Sequence, residues 1–228
     1  MMENLLESRE AASVAAAAKV TSALRRRLDA GQSTSLVVSG GTTPARCFEE
    51  LAKQDIAWRN VAVLASDERW VPPTHDDSNE KLIRDTLLVG NAKDADFLPF
   101  YTDQIAIEEQ CRILNEDIRL APLPFGCALL GMGTDGHFAS LFPDAENLKE
   151  GLDANSLTLC IPVQTAASPH RRVSLTLSAL ARSDEIVLLF FGDDKRAVYE
   201  DARNGNINLP VARLLRQKRA PVSVYWAP

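Results

Sequence analysis

The sequence predicts an α/β protein in which a mostly parallel sheet lies between two layers of helices. Apolar and β-branched runs alternate along the chain with longer segments of helical periodicity, the pattern of repeated strand–helix–strand units. Residues 125–130 and 185–191 are near-continuous apolar runs, as strands buried on both faces are. Glycine-rich turns join such runs to helical segments, where α/β proteins place their ligands.

The elements follow in order. Residues 7–30 form an alanine-rich helix, with Ala11, Val14, Ala15, Ala18 and Leu24 at helical spacing and Gly31 as its stop. Residues 35–39 are a strand, 44–53 a helix and 61–66 a second strand. Ser78 is the N-cap of a helix reaching Leu88, and residues 104–120 form a long amphipathic helix. The strand 125–130 follows, then strands at 157–163, 172–175 and 185–191. Helices at 193–202 and 210–216 and a strand at 222–226 complete the chain. With no repeat or long linker, residues 1–228 are expected to form one domain. The irregular stretches 67–77 and 164–171 are expected to be active-site loops.

Composition narrows the class. The chain has 228 residues, 46% of them hydrophobic and 25% charged, the balance of a soluble globular protein. A net charge of −6 argues against a nucleic-acid partner. Arg25-Arg26-Arg27 and Arg216-Gln217-Lys218-Arg219 fall near helix ends, where cations are favoured. Cys47, Cys111, Cys127 and Cys160 contain no CxxC pair. No run is long enough to span a membrane and the N-terminus lacks a signal-peptide layout, so a cytoplasmic enzyme with reduced thiols is expected.

Four constellations carry chemistry. In GMGTDGHFASLFP, residues 131–143, the glycines let the backbone bend tightly and approach a ligand, and Asp135 and His137 lie in the bend. Phe138–Phe142 is expected to be a short helix with His137 in its first turn; a purely structural histidine is the competing reading. In Ser39-Gly40-Gly41-Thr42-Thr43-Pro44, Thr43 suits an N-cap and Pro44 the first helical position. Gly40, Gly41 and Thr42 would offer N–H groups to an anion, unless the segment is only a tight turn. It matches neither the P-loop nor GxGxxG, so no nucleotide is implied.

Asp67, Glu68 and Arg69 crowd the end of an apolar strand, either for a bound partner or as an internal Asp67–Arg69 network. Arg172 opens a later strand, and Lys195 sits in the first turn of a helix, where it opposes the dipole unless an anion is near. A solvated surface cation is the alternative for Lys195. His75 and His170 are assigned to surface loops, and no HExxH pattern points to a metal hydrolase.

Taken in order, SGGTTP, SDERWVP, DDSN at 76–79, GMGTDGHFASLFP, RRVSLT and GDDKRAV resemble the glucosamine-6-phosphate deaminase/6-phosphogluconolactonase family over positions 39–198. The resemblance implies a Rossmann-like three-layer α/β/α fold with a small antiparallel extension. It implies hydrolysis of 6-phospho-D-glucono-1,5-lactone to 6-phosphogluconate, in the oxidative pentose phosphate pathway, with no metal or organic cofactor. His137 would be the general base and Asp135 its orienting partner. Asp67 would hold sugar hydroxyls, and Gly40, Gly41, Thr42, Arg69, Arg172 and Lys195 would form the anion pocket. How Arg69, Arg172 and Lys195 divide phosphate from lactone stays open.

Deaminase relatives read DGHIAFNEP where this chain reads DGHFASLFP, so Phe142 stands at the position of their glutamate. A phenyl ring cannot shuttle a proton, which weakens the deaminase reading. Thr134 and Phe138 stand where glutamate and threonine are common, and Thr42 replaces a frequent serine. A deaminase- or isomerase-like enzyme and a non-catalytic sugar-phosphate sensor are the alternatives. The expected partner is a small sugar-phosphate lactone, with no nucleic acid or membrane, and the chain is expected to be a monomer or homodimer.

Overall fold

The computed structural model describes residues 2–228. Ten strands are present: β1 (Met2–Leu5), β2 (Thr34–Val38), β3 (Val61–Ala65), β4 (Asp67–Arg69), β5 (Asp96–Leu98), β6 (Cys127–Leu130), β7 (Cys160–Val163), β8 (Arg172–Leu175), β9 (Ile186–Phe191) and β10 (Val222–Ala227). The helices are α1 (Arg9–Leu28), α2 (Ala45–Leu51), α3 (Asn79–Thr86), α4 (Ile107–Leu120), α5 (Leu148–Gly151), α6 (Leu177–Leu180), α7 (Asp193–Asn204) and α8 (Pro210–Arg216). Seven strands form a wholly parallel sheet in the order β1-β10-β9-β6-β2-β3-β5, and β4, β8 and β7 form a separate antiparallel sheet.

Alternate residues of the central strands feed two cores. Leu36, Val38, Cys127, Leu129, Val187 and Leu189 face α1, α2 and α3. Val37, Ala128, Leu130, Ile186, Leu188 and Phe190 face α4, α6, α7 and α8. This double burial is why these strands are apolar at every position. Helix α1 starts at Ser8, whose side chain accepts from the Ala11 amide at 3.1 Å. It packs against the sheet through Ala12, Ala16, Ala17 and Val20, all buried. Small side chains there let helix and sheet approach closely.

Three strands escape the pattern reading. β1 pairs in parallel with β10, β5 with β3, and β4 lies inside the stretch expected to be irregular. The expected helix over Phe138–Phe142 is absent: the segment is a chain of turns in which Ala139 takes a positive φ of 48°. Five residues cannot nucleate a helix unaided, and here Phe138, Leu141 and Phe142 are each drawn separately into the core. Thr43 is not a cap either; Pro44 occupies the N-cap position of α2 and makes no side-chain cap bond. Among the described residues no helix is long and apolar enough to cross a membrane.

Replacing Ala16 by leucine overfills the contact between α1 and the sheet. Urea unfolding should show a loss of about 1–3 kcal/mol with an unchanged m-value.

Candidate active site

Strands β2 and β3 step outward to one side of the sheet, whereas β6 returns to the other side of β2 and β9 follows it. The strand order therefore reverses between β2 and β6. Loops leaving the carboxyl ends of two such strands diverge and open a crevice. A cavity of about 260 Å³ lies there, lined among others by Gly40, Gly41, Thr42, Asp67, Arg69, Gly133, His137, Arg172 and Lys195. Every site residue expected from the sequence therefore lines this cavity except Asp135, which stands behind His137.

The histidine is held from two sides. Asp135 Oδ1 lies 2.5 Å from His137 Nδ1 and also accepts the His137 backbone N–H at 3.1 Å. An acceptor at Nδ1 fixes the neutral tautomer with its proton there, leaving the lone pair on Nε2. Partial burial works against ionisation of Asp135. The hydrogen bonds from His137 and the electrostatic pull of its imidazole outweigh it and hold the carboxyl below its ordinary range. The ring of Phe142 lies against the imidazole, centroids 4.1 Å apart and planes at 30°. A Cβ on Gly133 would stand 2.3 Å from the imidazole, so only glycine lets the loop close over the dyad.

The facing wall is the antiparallel sheet. The register of β4 with β8 sets Arg69 directly opposite Arg172. Two like charges in opposed positions repel and are stable together only with anionic company. Part of that company is internal. Asp67 Oδ2 accepts from Ser140 Oγ at 2.6 Å and lies 3.6 Å from Arg172 Nη1, while Asp67 Oδ1 accepts from Ser66 Oγ at 2.7 Å. Both carboxylate oxygens are thus engaged within the protein. Arg172 also donates to Ser168 Oγ at 3.1 Å, and its guanidinium stacks over Phe142 at 5.1 Å. Arg69 Nη1 donates to the Asp77 carbonyl at 2.6 Å. The buried Nε of each arginine has no hydrogen-bond partner.

Burial lowers the pKa of Arg172, partly offset by Asp67. Burial and then the charge of Arg9 lower that of Lys195, which makes no ion pair among the described residues. Three cations thus converge on the cavity with fewer anions than they need, the electrostatics of an anion site.

Asn79 closes the DDSN run, and nothing in its local sequence marks its role. It lines the cavity, donates to the Asp67 carbonyl at 2.7 Å, and fills the space a Cβ on Gly40 would need, 1.8 Å away. Its placement depends on Glu68, a buried side chain whose role has no local sequence signal. Glu68 accepts the backbone N–H groups of Arg69, Asn79 and Glu80 at 2.7–2.8 Å, and Ser78 Oγ accepts that of Lys81. The first-turn donors of α3 are satisfied in this way. Burial outweighs these donors and pushes the Glu68 carboxyl up to about 7.

The sequence model of a family described as "Glucosamine-6-phosphate isomerases/6-phosphogluconolactonase" matches residues 7–226. The chain is 41% identical over 224 residues to a 6-phosphogluconolactonase of Caulobacter vibrioides, covering 96% of this chain and 94% of that one. It is 37% identical to one of Mesorhizobium japonicum, covering 99% and 94%. It is also similar to the crystal structure of a 6-phosphogluconolactonase from Shewanella baltica, with a TM-score of 0.94, 33% identity and coverage of 100% and 98%.

Glu68 makes stability depend on pH. Its folded-state pKa lies above its ordinary value of 4.5, so its contribution is present below about 4.5 and lost as pH rises through about 7. Across that interval wild type should lose roughly 2–3 kcal/mol relative to Glu68→Gln, read from denaturant unfolding at a series of pH values.

Proposed function

The chain belongs to the family of glucosamine-6-phosphate isomerases and 6-phosphogluconolactonase, and from that premise we propose that it hydrolyses 6-phospho-D-glucono-1,5-lactone to 6-phosphogluconate, residues 1–228 acting as one lactonase domain. The observation that carries the reading is the Asp135–His137 dyad on one wall of the cavity, facing Arg69 and Arg172 on the other. A hydrolase of an anionic ester needs both walls.

In this reading His137 Nε2 takes a proton from a water whose oxygen attacks the lactone carbonyl carbon. The tetrahedral intermediate collapses with cleavage of the bond between that carbon and the ring oxygen. The imidazolium returns its proton to the departing ring oxygen, which becomes the hydroxyl of the open-chain acid. Asp135 orients the ring and stabilises the imidazolium. The phosphate, carrying roughly −1.5 to −2 charges, is gripped by Arg172, Arg69 and Lys195 and by the N–H groups of Gly40, Gly41 and Thr42. Asp67 faces the sugar while holding Arg172. Grip on the remote phosphate fixes the lactone against the base and so lowers the barrier. No residue of the chain is assigned to a metal or organic cofactor in this chemistry. Phe142, packed against His137, offers no second proton-transfer group of the kind a deaminase uses.

The test is to form the lactone in situ and follow its loss above spontaneous hydrolysis, with glucosamine 6-phosphate run in parallel for ammonia release. Wild type should consume the lactone and release no ammonia. His137→Ala should lower kcat by about 10²–10⁴-fold. Ammonia release would make the protein a deaminase, and tight 6-phosphogluconate binding without turnover would make it a sensor. Lys195→Ala should raise KM about tenfold, equivalent to about 1.4 kcal/mol of phosphate binding, with a smaller change in kcat.

A further inference from the structure

We propose that His75, Asp77 and His170 form a binding site for a divalent metal ion of the zinc class, which clips together the two loops that support the pocket arginines. His75 and Asp77 lie between β4 and α3, and His170 lies between β7 and β8. The pairing of β4 with β8 brings these loops together although Asp77 and His170 are 93 positions apart. One ligand atom from each of the three residues lies within 4.8 Å of the others. His170 Nε2 is 3.1 Å and His75 Nδ1 3.8 Å from Asp77 Oδ2, and the two rings meet edge to face at 5.5 Å. In a tetrahedral site with bonds of about 2.0–2.2 Å, neighbouring donors stand about 3.4 Å apart. The two separations from Asp77 Oδ2 already bracket that spacing.

Two imidazoles and one carboxylate suit Zn²⁺, Co²⁺ or Ni²⁺, whereas Mg²⁺ and Ca²⁺ prefer oxygen ligands. His75 Nδ1 now accepts the Asp77 backbone N–H at 3.0 Å, so an ion would take over a lone pair that is already turned inward. The four thiols are buried and do not compete, and the third histidine is committed to Asp135. Among the described residues this is the one cluster of three such side chains with ligand spacing. Arg69 also approaches the cluster, its guanidinium donating to the Asp77 carbonyl.

That bond is also the route to the pocket. Asp77 supports Arg69 through its carbonyl, and Ser168 links Arg172 to the His170 carbonyl, with bonds of 3.1 and 3.2 Å. An ion joining Asp77 to His170 therefore tethers the supports of both arginines. Calorimetric titration of the full chain with Zn²⁺, and the visible spectrum of its Co²⁺ adduct, test this without any turnover assay. One ion should bind per chain. His75→Gln and His170→Gln should each weaken binding at least about tenfold, whereas His137→Ala should bind as wild type. Zn²⁺ should slow amide exchange in residues 70–78 and 164–171. Circular dichroism establishes that each variant is folded, and Asp77→Asn tests the third ligand. Absence of saturable binding, or binding lost in His137→Ala but kept in His170→Gln, would overturn the site. Saturable binding with unchanged exchange would overturn the clip.

Discussion

Burying the carboxylate of Asp67 obliges three separate segments of the chain to meet around it. Its oxygens take hydrogen bonds from Ser66 at the end of the β3 segment and from Ser140 in the glycine–histidine loop, and they face Arg172 on β8. An unpaired charge in that position would be costly, and removing one partner of a buried pair typically costs about 3–5 kcal/mol. Satisfying it fixes where the loop carrying His137 sits relative to the wall carrying the arginines. Phe142 reinforces the same relation, because the His137 imidazole and the Arg172 guanidinium both lie against that ring. The positive φ at Ala139 is the local conformational strain that this convergence imposes.

The parallel sheet supplies the platform and the antiparallel sheet supplies the opposing jaw. Only the reversal of strand order between β2 and β6 leaves room for a ligand at the sheet's carboxyl edge. Asn79 then joins the platform to the jaw. It fills the space above Gly40, bonds to the backbone of Asp67, and is itself held by the N-terminal cap that Glu68 provides to α3.

Much of this was legible in the chain. Runs such as residues 186–191 are buried on both faces and so declare themselves as central strands. The residues that line the cavity stand out because glycine, histidine and arginine cluster near strand ends. What escaped did so for physical reasons. β1, β4 and β5 have only three or four residues each, and the three residues of β4 are all charged, so pairing rather than periodicity makes them strands. The segment Phe138–Phe142 looked helical because its apolar content is high, but each aromatic answers to a different tertiary partner. Glu68 is nearly invisible in sequence, since only its burial shows that it caps a helix. The proximity of His75 to His170 arises from strand register, which no local spacing encodes.

The edge strand β1 has a consequence for the order in which the protein is assembled. Its backbone partner is β10, the last strand, and the Asn4 side chain reaches the Val224 carbonyl across 220 positions. During synthesis β1 must wait, its backbone unpaired, until β10 leaves the ribosome. Closure over so long a loop is slow compared with local pairing. Most of the sheet is ready before that moment: β2, β3, β5 and β6 have all their neighbours, and β9 lacks only β10. The nascent chain therefore carries an almost finished platform while its first and last strands remain unjoined, and that interval is when it is most open to pairing with another chain.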